Sequence, residues 1–174
     1  MKFRSMSEFR EYVIKNSQVA IRQAQEEIYG ILYRYVQKYY AEYDPEYYER
    51  TYQLLRSLVK TEVVPTKNGW KAEVYFDISS LDYSFKLFMK PGYYSKKSGL
   101  YRNPFNPRHY SRTGRFEHPT GDPQKVMESA ARGEHGGWAM GGTSIWDDPM
   151  QNLGSGLAYD ILKKWLIKNG VKVK

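Results

Sequence analysis

The chain has 174 residues, enough for one domain with a hydrophobic core and too few for two of ordinary size, so we expect residues 1–174 to form a single domain. It contains no cysteine, which excludes disulfide bonds, thiolate nucleophiles and sulfur-ligated zinc sites. No run of about 18 apolar residues occurs and the N-terminus lacks the apolar centre of a signal peptide, so we expect a soluble protein that is made in the cytoplasm and has no membrane partner.

Two features of the composition are uncommon. Tyrosine occurs 17 times, and its ring combines a large apolar area with a polar end, which suits interfaces as well as cores. The formal net charge is +8, and the excess lies in the second part of the chain, where residues 65–174 carry seventeen Lys or Arg against ten acids.

The N-terminal pattern is that of one long helix. Ser5 and Glu8 have capping-box spacing, and apolar residues then recur every three or four positions from Phe9 to Tyr39. This predicts a helix from about residue 6 to 41, roughly 50 Å long and longer than a compact domain of this size needs. We therefore expect part of the helix to pack on another chain.

Asp44 and Pro45 are expected to end this helix, and residues 46–56 are predicted to form a short second one. Two interpretations of Arg50 are open. It fixes the junction by pairing with a carboxylate or with carbonyls at a helix end, or it is simply exposed to solvent.

A β-hairpin is predicted next. Residues 58–66 and 70–78 flank Lys67-Asn68-Gly69, and Asn-Gly is the dipeptide that best tolerates positive φ in a tight turn. Apolar and polar residues alternate along the second arm from Trp70 to Asp77, as expected when one face is buried. A third strand is predicted over residues 83–89.

Residues 83–116 contain eight Lys or Arg, nine aromatic residues and no acid, and Pro and Gly interrupt them. Beyond the third strand this composition predicts a long basic aromatic loop over about residues 90–116. Three interpretations are open: contact with nucleic acid, ordering against an acidic surface of a neighbouring subunit, or a solvated loop. The candidate contact residues are Lys90, Tyr93, Tyr94, Lys96, Lys97, Tyr101, Arg102, Arg108, Tyr110, Arg112 and Arg115.

Two helices are predicted near the C-terminus. Asp122-Pro123 indicates the start of a short helix that Gly133 ends, and Asp148-Pro149 indicates the start of a second that Asn169-Gly170 ends. The second helix is expected to carry one apolar face, formed by Met150, Leu153, Leu157, Ile161 and Trp165.

Residue patterns for catalysis are missing. The three histidines lack metal-ligand spacing, and no phosphate-binding loop, dinucleotide fingerprint or nucleophile elbow occurs. Glu73 and Asp77 would share a strand face, but the lysine expected near the carboxylates of a metal-dependent nuclease is absent. We therefore expect no catalytic residue, no cofactor and no metal site, and thus no enzyme.

The junction, residues 43–58, reads YDPEYYERTYQLLRSL and resembles tail-completion and head–tail connector proteins of long-tailed bacteriophages. In that family a tyrosine-rich turn is followed by Arg-Thr, a Leu and a Ser that opens the sheet. A second block within residues 118–150, HPTGDPQKVMESAARGEHGG and then IWDDPM, is similar to firmicute-phage members of the group. The residues that match the junction motif are Tyr47, Tyr48, Arg50, Thr51, Leu55 and Ser57.

The resemblance implies an α+β fold in which a small antiparallel β-sheet is flanked by a long N-terminal helix and a C-terminal helix. It also implies a virion structural protein made in the bacterial host cytoplasm. Several copies, with a hexamer as the expected number, would form a ring at the head–tail junction between head-closure and tail-tube proteins, where the basic loop could contact the passing DNA. The alternative function is a nucleic-acid-binding module that uses residues 83–116, and a third hypothesis is an enzyme without a recognised motif.

Overall fold

The computed structural model describes residues 3–45, 49–81, 86–104, 107–117, 122–134 and 142–173. These residues combine a long N-terminal helix, small antiparallel sheets and a C-terminal helix, which confirms the predicted α+β class. The helices are α1 (Met6–Ala41), α2 (Gln53–Ser57), α3 (Pro123–Ala131), α4 (Asp147–Asn152) and α5 (Ala158–Lys168). The strands are β1 (Leu58–Lys60), β2 (Val64–Thr66), β3 (Gly69–Lys71), β4 (Val74–Phe76), β5 (Lys86–Phe88), β6 (Tyr94–Ser95), β7 (Leu100–Arg102), β8 (Tyr110–Ser111) and β9 (Arg115–Glu117).

Helix α1 has the bounds that its apolar pattern predicts. Ser5 caps its start, because the Ser5 side-chain oxygen accepts a hydrogen bond from the Glu8 amide at 3.1 Å and the Glu8 carboxylate accepts one from the Arg4 amide at 2.7 Å. The first buried side chain of the helix is Ala20, about four turns from its start. Helix α1 therefore has a covered part from Ala20 onward and an N-terminal part without a buried residue.

One apolar cluster surrounds the C-terminal end of α1. Val36 and Tyr39 meet side chains from α2, α3 and the segments that flank them, so this end of the helix organises the centre of the chain. The buried members of the cluster are Val36, Tyr39, Leu54, Leu81, Met127, Ala130 and Ile145.

A second cluster joins the middle of α1 to α5. Ala24 packs there with Ile161. Beside them, Glu27 of α1 makes polar contacts with α5. The Glu27 carboxylate accepts hydrogen bonds from Lys164 Nζ at 2.6 Å and from Trp165 Nε1 at 2.7 Å. These contacts hold α5 against α1.

The predicted hairpin forms, but its arms separate into two short ladders. Strand β1 pairs with β4, and β2 pairs with β3 across a turn in which Thr66 lies opposite Gly69. The tight turn is therefore Lys67-Asn68 rather than Asn68-Gly69. Three residues separate β1 from β2 and two separate β3 from β4, so the first arm carries a β-bulge. The alternation of half-buried and exposed side chains along the second arm is confirmed.

Gln25 of α1 fastens the helix to this bulge. Its side chain is 6% exposed, and its Nε2 donates to the carbonyl oxygens of Thr61 and Glu73, both at 2.9 Å. Thr61 and Glu73 also bond each other, since the Thr61 amide donates to the Glu73 carbonyl at 3.0 Å. A buried amide that serves carbonyls of both arms fixes the position of the hairpin along α1.

The second helix is shorter than predicted. Residues 46–48 lie outside the described part of the chain, and residues 49–52 are not helical, so the prediction is wrong there. Tyr52 has a φ of 55°, a left-handed conformation that interrupts helical backbone and delays the start of α2 to Gln53.

Residues 90–116, predicted as one long loop, contain strands. Strand β5 pairs with β9, and β6, β7 and β8 form a three-stranded meander between them, so the loop prediction is wrong where these strands occur. Here the hydrogen bonds between paired strands stabilise extended backbone, although Pro and Gly residues interrupt the segment. Of the predicted third strand, residues 86–88 are β5 and residues 83–85 lie outside the described residues. We call residues 86–117 the basic excursion.

Helix α3 confirms both of its predicted ends, because the Asp122 side chain accepts from the Gln124 amide at 3.0 Å and Gly133 has a φ of 76°.

The C-terminal helix is interrupted, since a π-helical turn between α4 and α5 places Gly156 at a φ of 116°. Leu157 is consequently 38% exposed, and its predicted place on the buried face is wrong.

We predict that Gln25→Ala destabilises the protein by about 2 kcal/mol, because it removes a buried side chain and its two partly buried hydrogen bonds to the carbonyls of Thr61 and Glu73. Gln37→Ala is the matched control on the exposed side of α1 and should change stability by less than about 0.5 kcal/mol. Urea unfolding followed by circular dichroism measures both variants. Equal stabilities would contradict the assigned role of Gln25.

Candidate functional site

Arg50 closes the junction after α1. Its Nη1 donates to the carbonyl oxygen of Tyr40, in the last turn of the helix, and its guanidinium lies 5.3 Å from the Tyr40 ring centroid. Of the two interpretations of Arg50, the structure therefore shows pairing with a carbonyl at a helix end. The Tyr40 ring also lies 5.0 Å from the ring of Tyr52, so Arg50 and the two tyrosines form one packed unit.

The remaining motif residues stabilise the step from helix to sheet. The Thr51 carbonyl accepts from Arg56 Nη2 at 2.9 Å, and Leu55 packs on the cluster at the end of α1. Ser57 is fully buried, and its carbonyl accepts from the Asp77 amide at 2.7 Å, which joins the start of β1 to the residue after β4. Tyr47 and Tyr48 lie outside the described residues.

Glu42, directly after α1, holds the segment that leads into α4. Its carboxylate accepts from the Thr143 amide and from the Thr143 hydroxyl, both at 2.5 Å. Chiefly because of the hydroxyl bond, and then the amide bond, the pKa of Glu42 lies below its ordinary value. The sequence patterns used above do not predict this contact, since its partners are far apart along the chain.

Ser144 provides the cap that was predicted for Asp148. The Ser144 Oγ accepts from the amides of Trp146, Asp147 and Asp148 at 3.2, 2.7 and 3.2 Å, while the Asp148 carboxylate accepts from the Ser144 amide at 3.2 Å. The same hydroxyl donates to the carbonyl of Ala131 and so joins α4 to α3. The sequence offers the capping-box spacing of Ser144 and Asp147, but the carboxylate that accepts from the Ser144 amide is that of Asp148, one residue further along the chain.

The basic excursion is anchored at its base to the junction. The Glu49 amide donates to the Phe88 carbonyl at 3.1 Å, the Met89 amide donates to the Gly114 carbonyl at 2.9 Å, and Met89 is buried. Lys90 Nζ lies 3.6 Å from the Asp44 carboxylate. The ladder of β5 and β9 thus begins directly beside the end of α1.

The meander at the tip stands clear of the helices. No residue from Tyr94 to Arg102 is buried, and among the described elements β6, β7 and β8 pack extensively only on one another. An open depression of about 480 Å³ lies at one side and includes Tyr94 and Arg102 in its wall. Of the candidate contact residues, Tyr94, Lys96, Lys97, Arg102, Arg108, Tyr110, Arg112 and Arg115 are exposed, and Lys90, Tyr93 and Tyr101 are half-buried.

The N-terminal part of α1, residues 6–19, is the second exposed surface. Its contacts are few: Trp70 Nε1 donates to the Ile14 carbonyl at 3.2 Å, and the Phe3 ring lies 5.1 Å from the rings of both Phe9 and Tyr12. Met6 is nevertheless 78% exposed and Phe9 45%, with the three-residue spacing that places them on one side of the helix. We call residues 6–19 the α1 arm.

Within the described residues, no three His, Asp or Glu side chains are grouped so that they could hold a metal ion. His118 and His135 lie outside that part of the chain, and the described His109 is exposed. No described helix is both long and apolar enough to span a membrane. The arrangement of the described surfaces suits binding through apolar and cationic groups.

Comparison with known proteins finds no matching family model, and neither a curated protein nor a solved structure matches the chain.

We predict that the contribution of Glu42 to stability depends on pH. Because the folded-state pKa lies below the ordinary value of about 4.3, the contribution is complete above that value and is lost as the pH falls through the folded-state pKa. At neutral pH Glu42→Gln should cost about 1 kcal/mol, since the side chain is partly exposed.

The difference between the wild type and Glu42→Gln should shrink toward zero as the pH is lowered, as measured by urea unfolding at several pH values. Glu62→Gln is the control, because Glu62 is exposed and accepts no hydrogen bond from a described residue. A difference that stays constant from neutral to acidic pH would show that the charge on Glu42 does not contribute.

Proposed function

We propose that this protein is a non-enzymatic structural component of the head–tail junction of a long-tailed bacteriophage, acting in tail completion or as a connector. It binds copies of itself in a ring, with six as the expected number, between head-closure and tail-tube proteins. The observation that carries the proposal is the α1 arm, a preformed helical surface in which no residue is buried by the described part of the chain.

The chemistry of the arm favours a protein partner. Fully burying a Met or Phe side chain is worth about 1.5–3 kcal/mol, and a monomer leaves most of that free energy unused at Met6 and part of it at Phe9, whose ring packs on Phe3. The arm is continuous with the anchored part of α1, so it needs no separate helix nucleation before it binds. A preformed helix loses little conformational entropy on association, which favours repeated assembly of identical copies.

The junction motif supports the same assignment. Arg50, Leu55 and Ser57 each contribute to the short connection between α1 and the hairpin, through the Tyr40 carbonyl, the adjoining apolar cluster and the Asp77 amide. These contacts hold the start of the hairpin near the end of α1, and the bond from the Glu49 amide to the Phe88 carbonyl attaches the basic excursion to the same junction. Subunits with such a fixed geometry can meet in one repeated orientation, as a closed ring requires.

We predict that the wild-type protein self-associates with rising concentration and that Met6→Ser with Phe9→Ser weakens the association about tenfold or more, because apolar area at the contact is lost. The control is Val64→Ser with Tyr75→Ser, a pair on the hairpin that is 46% and 45% exposed. Sedimentation velocity gives the association constant, and negative-stain microscopy of the same sample shows whether the particles are rings.

Apolar association should persist as NaCl is raised. A wild-type protein that stays monomeric at every concentration, or control and arm variants that weaken association equally, would contradict the proposal. Thermal unfolding of each variant separates loss of assembly from loss of folding.

A further inference from the structure

We propose that the basic excursion binds the phosphodiester backbone of nucleic acid. The inference rests on charge, exposure and strand register at β6, β7 and β8 and does not depend on the assembly of the α1 arm.

The net charge of the protein is concentrated in this one segment. The basic excursion holds eight of the 27 Lys and Arg residues and one acid, Glu117, so the rest of the chain carries 19 basic and 18 acidic residues. A localised excess of positive charge attracts a polyanion far more than the same charge spread over a balanced surface.

Four cations of the basic excursion have no carboxylate partner among the described residues. Elsewhere basic side chains pair with carboxylates, as Lys60 does with Glu26 and Lys71 with Glu73. Among the described residues, no carboxylate pairs with Lys96, Lys97, Arg102 or Arg112, and all four are exposed. A phosphate can therefore approach them without displacing an internal ion pair.

The strand register places Arg102 at one end of the meander and Lys96 and Lys97 at the other. Arg102 lies opposite Tyr110, while Lys96 and Lys97 follow the row in which Ser95 lies opposite Leu100. Two residues of strand separate these rows, about 7 Å at 3.3 Å per residue, so the cations form an extended strip. A strip of separated cations fits successive phosphates of one strand, whereas a single small anion would contact only one end.

Tyrosine rings lie among the cations and favour nucleic acid over an acidic protein. Tyr110 is 54% exposed beside Arg102, and Tyr94 is 42% exposed with its ring 5.0 Å from that of Tyr101. Exposed rings can stack on unpaired bases while the adjacent cations bind the backbone. The depression beside Tyr94 and Arg102 is open, which suits a chain that passes across it.

The test measures binding of the full-length protein to a fluorescent DNA duplex and to a single strand of the same sequence, by anisotropy over a series of NaCl concentrations. Affinity should fall steeply with salt. The triple variant Lys96→Gln, Lys97→Gln, Arg102→Gln should lose about tenfold or more in affinity, and its salt slope should fall by about 2–3 for the duplex.

The matched control is Lys67→Gln, Lys125→Gln, Lys172→Gln, which removes the same charge from exposed positions outside the excursion. It should bind nearly as the wild type does. Equal losses in the two triple variants would show an effect of net charge alone and overturn the proposal. Absence of binding to either DNA, or displacement of DNA by polyglutamate at equal charge concentration, would also overturn it.

Tyr110→Ala distinguishes the two forms of nucleic acid. Weaker binding of the single strand alone would assign the surface to unpaired bases, and unchanged binding of both would assign it to the backbone of either form. Both results support the proposal, provided that the excursion variant loses binding and the control does not. Circular dichroism verifies that the variants, all at exposed positions, remain folded.

Discussion

The length of α1 is the constraint on which the rest of the structure depends. Its 36 residues extend about 54 Å, whereas the 11 residues of α5 can cover only about 16 Å of that length. The hairpin and the short helices cover more, but buried side chains begin only at Ala20. The α1 arm is helical because it continues an anchored helix and begins with the Ser5 cap. An isolated segment of this length would not form a stable helix, whereas the attached arm is already helical.

Two polar side chains of α1 and one directly after it determine where the other elements attach. Gln25 bonds both arms of the hairpin, Glu27 bonds the Lys164 and Trp165 side chains of α5, and Glu42 bonds Thr143 ahead of α4. Apolar clusters provide burial at each place, but apolar contacts tolerate sliding. Directional hydrogen bonds to fixed donors and acceptors do not, so they set the register of each element along the helix.

The parts of the fold that the sequence predicts are those specified by local chemistry. The ends of α1 and α3 follow from the Ser5 cap, the Asp122 cap and the positive φ of Gly133, which act within a few residues. The division of the hairpin into two ladders depends instead on Gln25, which is distant in the sequence. The cap of α4 could be Ser144 or Asp148, and tertiary contacts decide between them.

The basic excursion shows the same limit in the candidate site. Its Pro and Gly residues correctly indicate breaks, but strands of two or three residues exist only through their partners, and no local pattern of that length predicts pairing. Leu157 has helical spacing in the sequence, yet Gly156 turns it toward solvent. The junction motif indicates the role of Arg50 because its partner, the Tyr40 carbonyl, is only ten residues away.

The two exposed surfaces lie at opposite ends of the anchored part of α1. The arm precedes Ala20, and the excursion is attached beyond Ala41, about 30 Å along the helix axis, so the protein partner proposed for the arm and the polyanion proposed for the excursion would not compete for one surface. Amide hydrogen exchange along α1, compared between dilute and concentrated protein, tests the central claim directly. The account predicts slow exchange from residue 20 onward in both samples and a slower exchange of residues 6–19 in the concentrated sample than in the dilute one. Equal protection of residues 6–19 at both concentrations would contradict it.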